Sequence, residues 1–245
     1  MTSVNLANIP RGNTSPGVNR EIIEYLLSLN EDFTDQYFLD LPCGEGSFLQ
    51  AVREFFPNSK TVGGDVHSPS TFFAHEFRQI DAQRNFSLET NKKFKVMTCI
   101  SGVMEFENTL AFFEKLKENL AENGWLIVTN DNLVSVRDRL LYLLFGRFRQ
   151  YPLFISNDKP TWKILSLQNL FRILTEAGFT ISEIRYVTPK KGEWIWLPLA
   201  LPIYIFQSLY LRFGEKENPS VERHQRFPFI SLLSRHYILI CRVKR

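Results

Sequence analysis

Residues 37–49 read YFLDLPCGEGSFL, and residues 60–66 then read KTVGGDV, placing Asp65 at the end of a second apolar run. The first stretch begins as a buried strand over 37–41, breaks at Pro42 into the turn Cys43-Gly44-Glu45-Gly46, and opens a helix. The second delivers a carboxylate at the end of the next strand. This is the plan of a βαβ unit that holds a nucleoside. Glycines let backbone approach the ligand, a helix N-terminus faces it, and an acidic side chain takes the ribose hydroxyls.

The glycines do not follow a dinucleotide fingerprint. G-x-G-x-x-G needs a third glycine for close helix–strand packing beside a pyrophosphate, and Leu49 stands at that place. A ligand without phosphates suits the turn better, and S-adenosylmethionine is such a ligand. Two glycines alone also describe an ordinary tight turn. The strand before, the helix after and the distance to Asp65 favour the cofactor.

Five blocks in order, LDLPCGEGSFL, VGGDVHS, FRQIDAQ, VMTCISGVMEF and NGWLIVTNDN, resemble those of class I S-adenosylmethionine-dependent methyltransferases over about residues 35–187. Within that superfamily the chain looks most like type 11/12 bacterial small-molecule or glycan-type enzymes that carry D-L-P-x-G-E-G. The resemblance implies a three-layer, Rossmann-like α/β fold. Its seven-stranded sheet would have an antiparallel last strand, with an apolar insertion between strands six and seven. It also implies that Asp40, Cys43, Gly44 and Gly46 line the methionine end of the cofactor. Asp65 would bind the ribose, with Val66 and His67 beside it at the ribose or the adenine, Asp81 and Ala82 at the adenine, and Ile100, Ser101 and Gly102 beside the sulfonium.

In the 245 residues, 29 Lys and Arg balance 26 Asp and Glu, a net charge of +3, which gives no basic footprint for nucleic acid. The three cysteines are far apart and read as buried, reduced thiols, and no cluster has metal-ligand spacing. The first residues, MTSVNLANIPRGNTSPG, lack an apolar core and so do not read as a secretory signal. Localisation is expected to be cytoplasmic, with peripheral attachment to the inner membrane face as a further expectation.

Residues 1–19 read as a flexible arm and 20–245 as one methyltransferase domain, with 188–234 an apolar and basic insertion. Helices are expected over 20–29 (capped by Asn19), 46–56, 70–76, 108–123 (closed by Gly124), 133–145 and 166–177. Strands are expected over 37–41, 60–65, 77–80, 94–100, 125–130, 179–187 and 235–243. Residues 194–211 hold no charged side chain, long enough for a membrane span, but Pro198 and Pro202 are expected to break a straight helix. If strands 179–187 and 235–243 are neighbours, a single pass is excluded and an apolar hairpin or in-plane helix remains. Lys190, Lys191, Arg212 and Lys216 and the interfacial Trp194, Trp196, Tyr204 and Tyr210 suit a membrane surface, as do 133–149 with their leucines among arginines. A lid over the acceptor pocket and an oligomer contact are the other readings.

Many relatives read G-x-x-E-H after strand four, where the histidine is a plausible proton acceptor; this chain reads Gly102-Val-Met-Glu-Phe106. Glu105 and Asp131 remain as candidate catalytic carboxylates, with a strand-end hydrogen bond and a helix cap as their ordinary alternatives. His75, His224 and His236 show no partner pattern. The expected reaction is methyl transfer to a small or lipid-linked acceptor, with a hydroxyl of a cell-envelope saccharide or another amphipathic molecule favoured. A catalytically silent cofactor-binding scaffold and a protein or RNA methyltransferase are the alternatives.

Overall fold

The computed structural model describes residues 6–83, 86–88, 91–154, 163–214 and 220–244. It divides into two compact units. Unit 1 comprises 1–130, 161–183 and 238–245; unit 2 comprises 131–160 and 184–237.

Unit 1 begins with α1 (Val18–Ser28), whose Ile22, Ile23 and Leu26 are buried at helical spacing. Gly17, not Asn19, precedes its first turn. The Asn19 amide is buried and donates to Pro10 O at 2.8 Å, so it ties down the preceding segment instead of capping the helix. Then come β1 (Tyr37–Asp40), α2 (Ser47–Phe55), β2 (Lys60–Asp65), β3 (Glu76–Gln79) and β4 (Phe94–Ile100). The chain continues through α3 (Thr109–Asn119) into β5 (Leu120–Asp131).

Two expectations fail here. Residues 70–75 form bends and irregular chain rather than a helix, and Glu76 already belongs to β3; Phe72 packs edge-to-face on Phe77 at 5.1 Å instead of lying on a helical face. The helix expected over 108–123 ends at Asn119, and Gly124 lies within β5. The register jumps from Phe94↔Leu120 to Val96↔Trp125, so the chain between the paired residues bulges out of the ladder instead of extending the helix.

In unit 2, α4 (Val136–Phe145) starts at Ser135, whose Oγ accepts the Asp138 N–H at 3.1 Å, and ends at the left-handed Gly146. Back in unit 1, α5 (Leu167–Glu176) is capped by Ser166 and buries Leu167, Leu170 and Leu174. β6 (Phe179–Tyr186) leads into unit 2, where a 3-10 turn, Lys191–Trp196, precedes α6 (Leu197–Phe213). α6 runs unbroken through both prolines, against expectation. Pro198 sits in the first turn, where its missing N–H has no intrahelical partner to lose, and Pro202 lies on the exposed face. α7 (Ser220–Arg226) and β7 (His236–Val243) complete the chain.

The seven strands form one sheet in the order β3-β2-β1-β4-β5-β7-β6. β1 pairs in parallel with β2 and β4, β2 with β3, and β4 with β5. The bonds Lys244 N–H to Gly178 O (2.8 Å) and Val187 N–H to His236 O (3.0 Å) show that β7 runs antiparallel to β6. Central strands are apolar on both faces, as a covered parallel sheet requires: Phe38, Leu39, Val96, Met97, Ile127 and Val128 are all buried. The strand order reverses between β1 and β4, and the glycine turn leaves the sheet at that point.

The core of unit 2 is separate and small. Val136, Ala200, Leu232 and Leu233 are buried together, with Leu140, Ile203 and Phe229 packed around them.

Candidate active site

The ladder between β1 and β2 continues past the strand end. Cys43 N–H donates to Gly64 O at 2.9 Å, and Leu41 N–H reaches Thr98 O of β4 at 3.0 Å. These bonds hold the turn 42–46 above the switch point. Gly44 and Gly46 both have left-handed backbone, φ +52° and +81°, which a side chain would strain. Gly46 is also the residue from which α2 starts.

Asp65 closes the cradle. Its Oδ2 accepts the Gly44 N–H at 2.8 Å and its Oδ1 the His67 N–H at 3.2 Å. Asp40 is buried below, accepting from Thr98 Oγ1 at 2.6 Å. Burial pushes its carboxyl up to about 8 despite that bond, with the charge of Asp65 adding to the rise. Burial also raises the Cys43 thiol, and Asp40 and Asp65 act in the same direction, so it stays protonated.

At the end of β4, Ser101 has φ +60°, uncommon for a residue with a side chain. Two bonds hold it there. Its N–H donates to Thr129 Oγ1 at 3.0 Å, and its Oγ lies 2.7 Å from Thr14 Oγ1. Gly102 follows, so close to Pro42 that an added Cβ would come within 2.4 Å of the ring. Glu105 N–H bonds Gly102 O at 3.0 Å, and partial burial, with Asp65 as a lesser cause, raises its carboxyl. Asp81 accepts the Gln83 N–H at 3.1 Å, with Ala82 buried beside it; Val66 is exposed.

Unit 1 therefore brings Asp40, Cys43, Gly44, Gly46, Asp65, His67, Ser101 and Gly102 to the C-terminal ends of β1, β2 and β4. Sequence reasoning missed Thr14, Thr98 and Thr129. Thr98 had a signal, a hydroxyl within the apolar run VMTCI; Thr14, in a segment without apolar pattern, had none.

Asp131 belongs to unit 2. Its Oδ1 lies 3.1 Å from Arg149 Nη2 and 3.3 Å from His236 Nδ1, while Arg149 N–H donates to Asp138 Oδ1 at 2.7 Å. The cap of α4 is Ser135, not Asp131. His236, for which the sequence showed no partner, thus has one. Burial lowers its affinity for a proton, with Asp131 opposing and Arg149 reinforcing the fall. His75 is bonded to Thr61, 2.8 Å from its Oγ1.

The donor set suits S-adenosylmethionine. Segments 40–46, 65–67, 81–82 and 100–105 contain five carboxylates, Asp40, Glu45, Asp65, Asp81 and Glu105, and no Lys or Arg. Asp40 holds its proton up to about 8, but the other acidic side chains and the lack of a cation in these segments still suit a sulfonium better than a pyrophosphate.

Fold and donor set together define an S-adenosylmethionine-dependent methyltransferase. A profile described as methyltransferase domain matches residues 15–184, and the chain belongs to that family. It is 24% identical over 183 residues to the ubiquinone biosynthesis O-methyltransferase of Rickettsia canadensis, covering 71% of this chain and 75% of that one. Among solved structures it is similar to the O-methyltransferase of a Brevibacillus brevis trans-AT PKS multienzyme in complex with S-adenosyl-L-homocysteine. There the TM-score is 0.53 and the identity 16%, over 96% of this chain and 83% of that one. A mycolic acid cyclopropane synthase, also holding the demethylated cofactor, superposes with TM-score 0.53 at 13% identity, over 90% and 82% of the two chains. The protein is an enzyme, and its cofactor is S-adenosyl-L-methionine.

Proposed function

We propose that the protein methylates a hydroxyl of a small or lipid-linked amphipathic acceptor, with a cell-envelope saccharide as the favoured class. It works from the cytoplasm, peripheral on the inner face of the membrane, through 133–149 and 194–213. Residues 20–245 act as one methyltransferase domain in which 188–234 serve the acceptor. The observation that carries this reading is the exposed apolar surface of 194–213. The O-methyltransferase name of the curated relative supports a hydroxyl, and the mycolic acid named for the synthase of similar fold supports an amphipathic acceptor.

Bound S-adenosylmethionine supplies an electrophilic methyl group on a sulfonium. The chain's contribution is placement. Asp65 and His67 hold the ribose, Asp40, Cys43, Gly44 and Gly46 the methionine end, Val66, Asp81 and Ala82 the adenine side, and Ile100, Ser101 and Gly102 the sulfur. Alignment of this kind is worth up to roughly 7–11 kcal/mol in ideal cases. A hydroxyl also has to lose its proton. Glu105, whose proton affinity is raised by burial, suits that task better than Asp131, whose Oδ1 faces Arg149 and His236.

The test is incubation with methyl-labelled cofactor and a cell-envelope lipid extract. Expected is label in an alkali-stable, solvent-extractable product. Label in protein or RNA, or in no product, overturns the proposal.

A further inference from the structure

In a water-facing helix the polar side chains point outward. α6 departs from that pattern, being apolar on its outward face as well as its inward one. Its outward face carries Leu199, Leu201, Ile205, Phe206, Leu209 and Phe213, with Phe206 73% exposed. Its inward face sets Ala200, Leu197, Ile203 and Tyr204 against Val136, Leu232 and Leu233, and also buries Leu211 and the polar atoms Gln207 Nε2 and Ser208 Oγ. Gln207 Oε1 accepts from Arg139 Nη2, and Arg139 Nε donates to Val134 O at 2.8 Å, so Gln207 faces α4 of the same unit.

Exposed apolar surface is concentrated in unit 2. Of 19 exposed large apolar side chains among the described residues, 15 lie in its 84 residues, including Leu143 (78%) and Phe154 (88%). Single exposed apolar residues are normal; a concentration of this kind marks a contact surface.

We propose that unit 2 docks on an anionic lipid bilayer, α6 lying in the plane of one leaflet with its outward face in the acyl boundary. Charge selects this occupant. Unit 2 holds 13 Lys and Arg against 7 Asp and Glu, net +6, while the rest of the chain is net −3. A second copy would bring two such positive units together, whereas acidic headgroups complement one. Lys190 and Lys191 precede the apolar segment and Arg212 closes it, with Trp194 and Tyr210 exposed beside them, as at a headgroup layer.

Lys191–Phe213 is long and apolar enough to cross a bilayer. A single crossing is excluded by the bond of Val187 N–H to His236 O, which brings the two ends of 188–235 to one place. The inference deepens the membrane side of the proposed function and rests on that reading for the acceptor alone.

Flotation of the full chain with vesicles, cofactor and acceptor omitted, separates the two proposals. Phosphatidylcholine vesicles are compared with vesicles in which a third of the lipid is phosphatidylglycerol. The protein is expected to float with the anionic vesicles and about tenfold less with the neutral ones. Phe206→Ser with Leu209→Ser, and separately Lys191→Glu with Arg212→Glu, should each lower binding by about tenfold or more. Unchanged thermal melts and S-adenosylhomocysteine titrations establish that these variants fold. Protein that stays unbound with both vesicle types overturns the proposal, as does equal flotation of the folded serine variant. Sedimentation showing a dimer that the serine pair dissociates, with no lipid binding, assigns the face to a second copy instead. Labelled methyl transfer is scored separately, so failed flotation overturns membrane attachment alone and leaves the methyl-transfer reading to its own test.

Discussion

The carboxylate of Asp65 holds the N–H of Gly44 at 2.8 Å, tying the end of β2 to the turn that leaves β1. The acidic residue is thus a brace for the glycine turn as well as the proposed ribose ligand. Asp65→Ala removes both roles, and affinity for S-adenosylhomocysteine in a calorimetric titration should fall by about tenfold or more, a loss of about 1.4 kcal/mol at least. Unchanged affinity would remove this cradle from the cofactor site.

Asp40 gives the fold a pH dependence of definite sign. An unfolded aspartate titrates near about 4, whereas buried Asp40 does so at about 8. Between those values the folded state holds a proton that the unfolded state has lost. Stability of the cofactor-free protein should therefore fall as pH rises through that window, by on the order of 1 kcal/mol per unit at most. Asp40→Asn should flatten the profile, read as melting temperature against pH.

Gly102 packs on Pro42 with no room for a methyl group, an added Cβ lying 2.4 Å from the ring. Gly102→Ala must move either β4 or the turn, at a cost of about 1–3 kcal/mol. A lowered denaturation midpoint with weakened cofactor binding is expected. A midpoint equal to that of the parent protein would show that the contact is easily relaxed.

His236 acts in the opposite pH direction from Asp40. Burial keeps it neutral in the folded state, while the unfolded side chain takes a proton below about 6.5. Stability should therefore decline as pH drops through that value, and His236→Gln should lessen the decline. The charged groups around it, Asp131, Arg149 and Lys190, are the same in both proteins, so the difference between their curves isolates the imidazole.

Glu193 is buried against Arg235, with Arg137 3.5 Å away. Glu193→Gln leaves two guanidinium groups with a weaker acceptor. Loss of a buried partner costs about 3–5 kcal/mol when the remaining charge stays dry. Arg137 is partly exposed, so the lower end of that range is expected in chemical denaturation.

Much of this was readable along the chain, for local reasons. The strand–turn–helix at 37–49 announces itself because Gly44, Gly46 and the apolar residues around them are sequence neighbours with fixed conformational demands. Asp65 follows at the distance one helix and one strand require. In place of the helix over 70–76, Phe72 packs on Phe77, a contact outside the segment's own periodicity. Gly124 looked like a helix end because nothing in the sequence shows that β5 bulges opposite Val96.

The amino-acid order by itself determined the strand, glycine turn and helix at 37–49 and the uncharged run at 194–211, since each is set by residues near one another along the chain, while the seven-stranded sheet was legible only through the family resemblance. Only the tertiary structure decided that Asp131 meets His236, 105 positions later, and that Ser101 is held by Thr14 and Thr129. It also decided that α6 turns Gln207 inward and Phe206 outward. Periodicity shows that a helix has two faces; which one meets the protein depends on partners such as Arg139, brought close only when distant segments fold together.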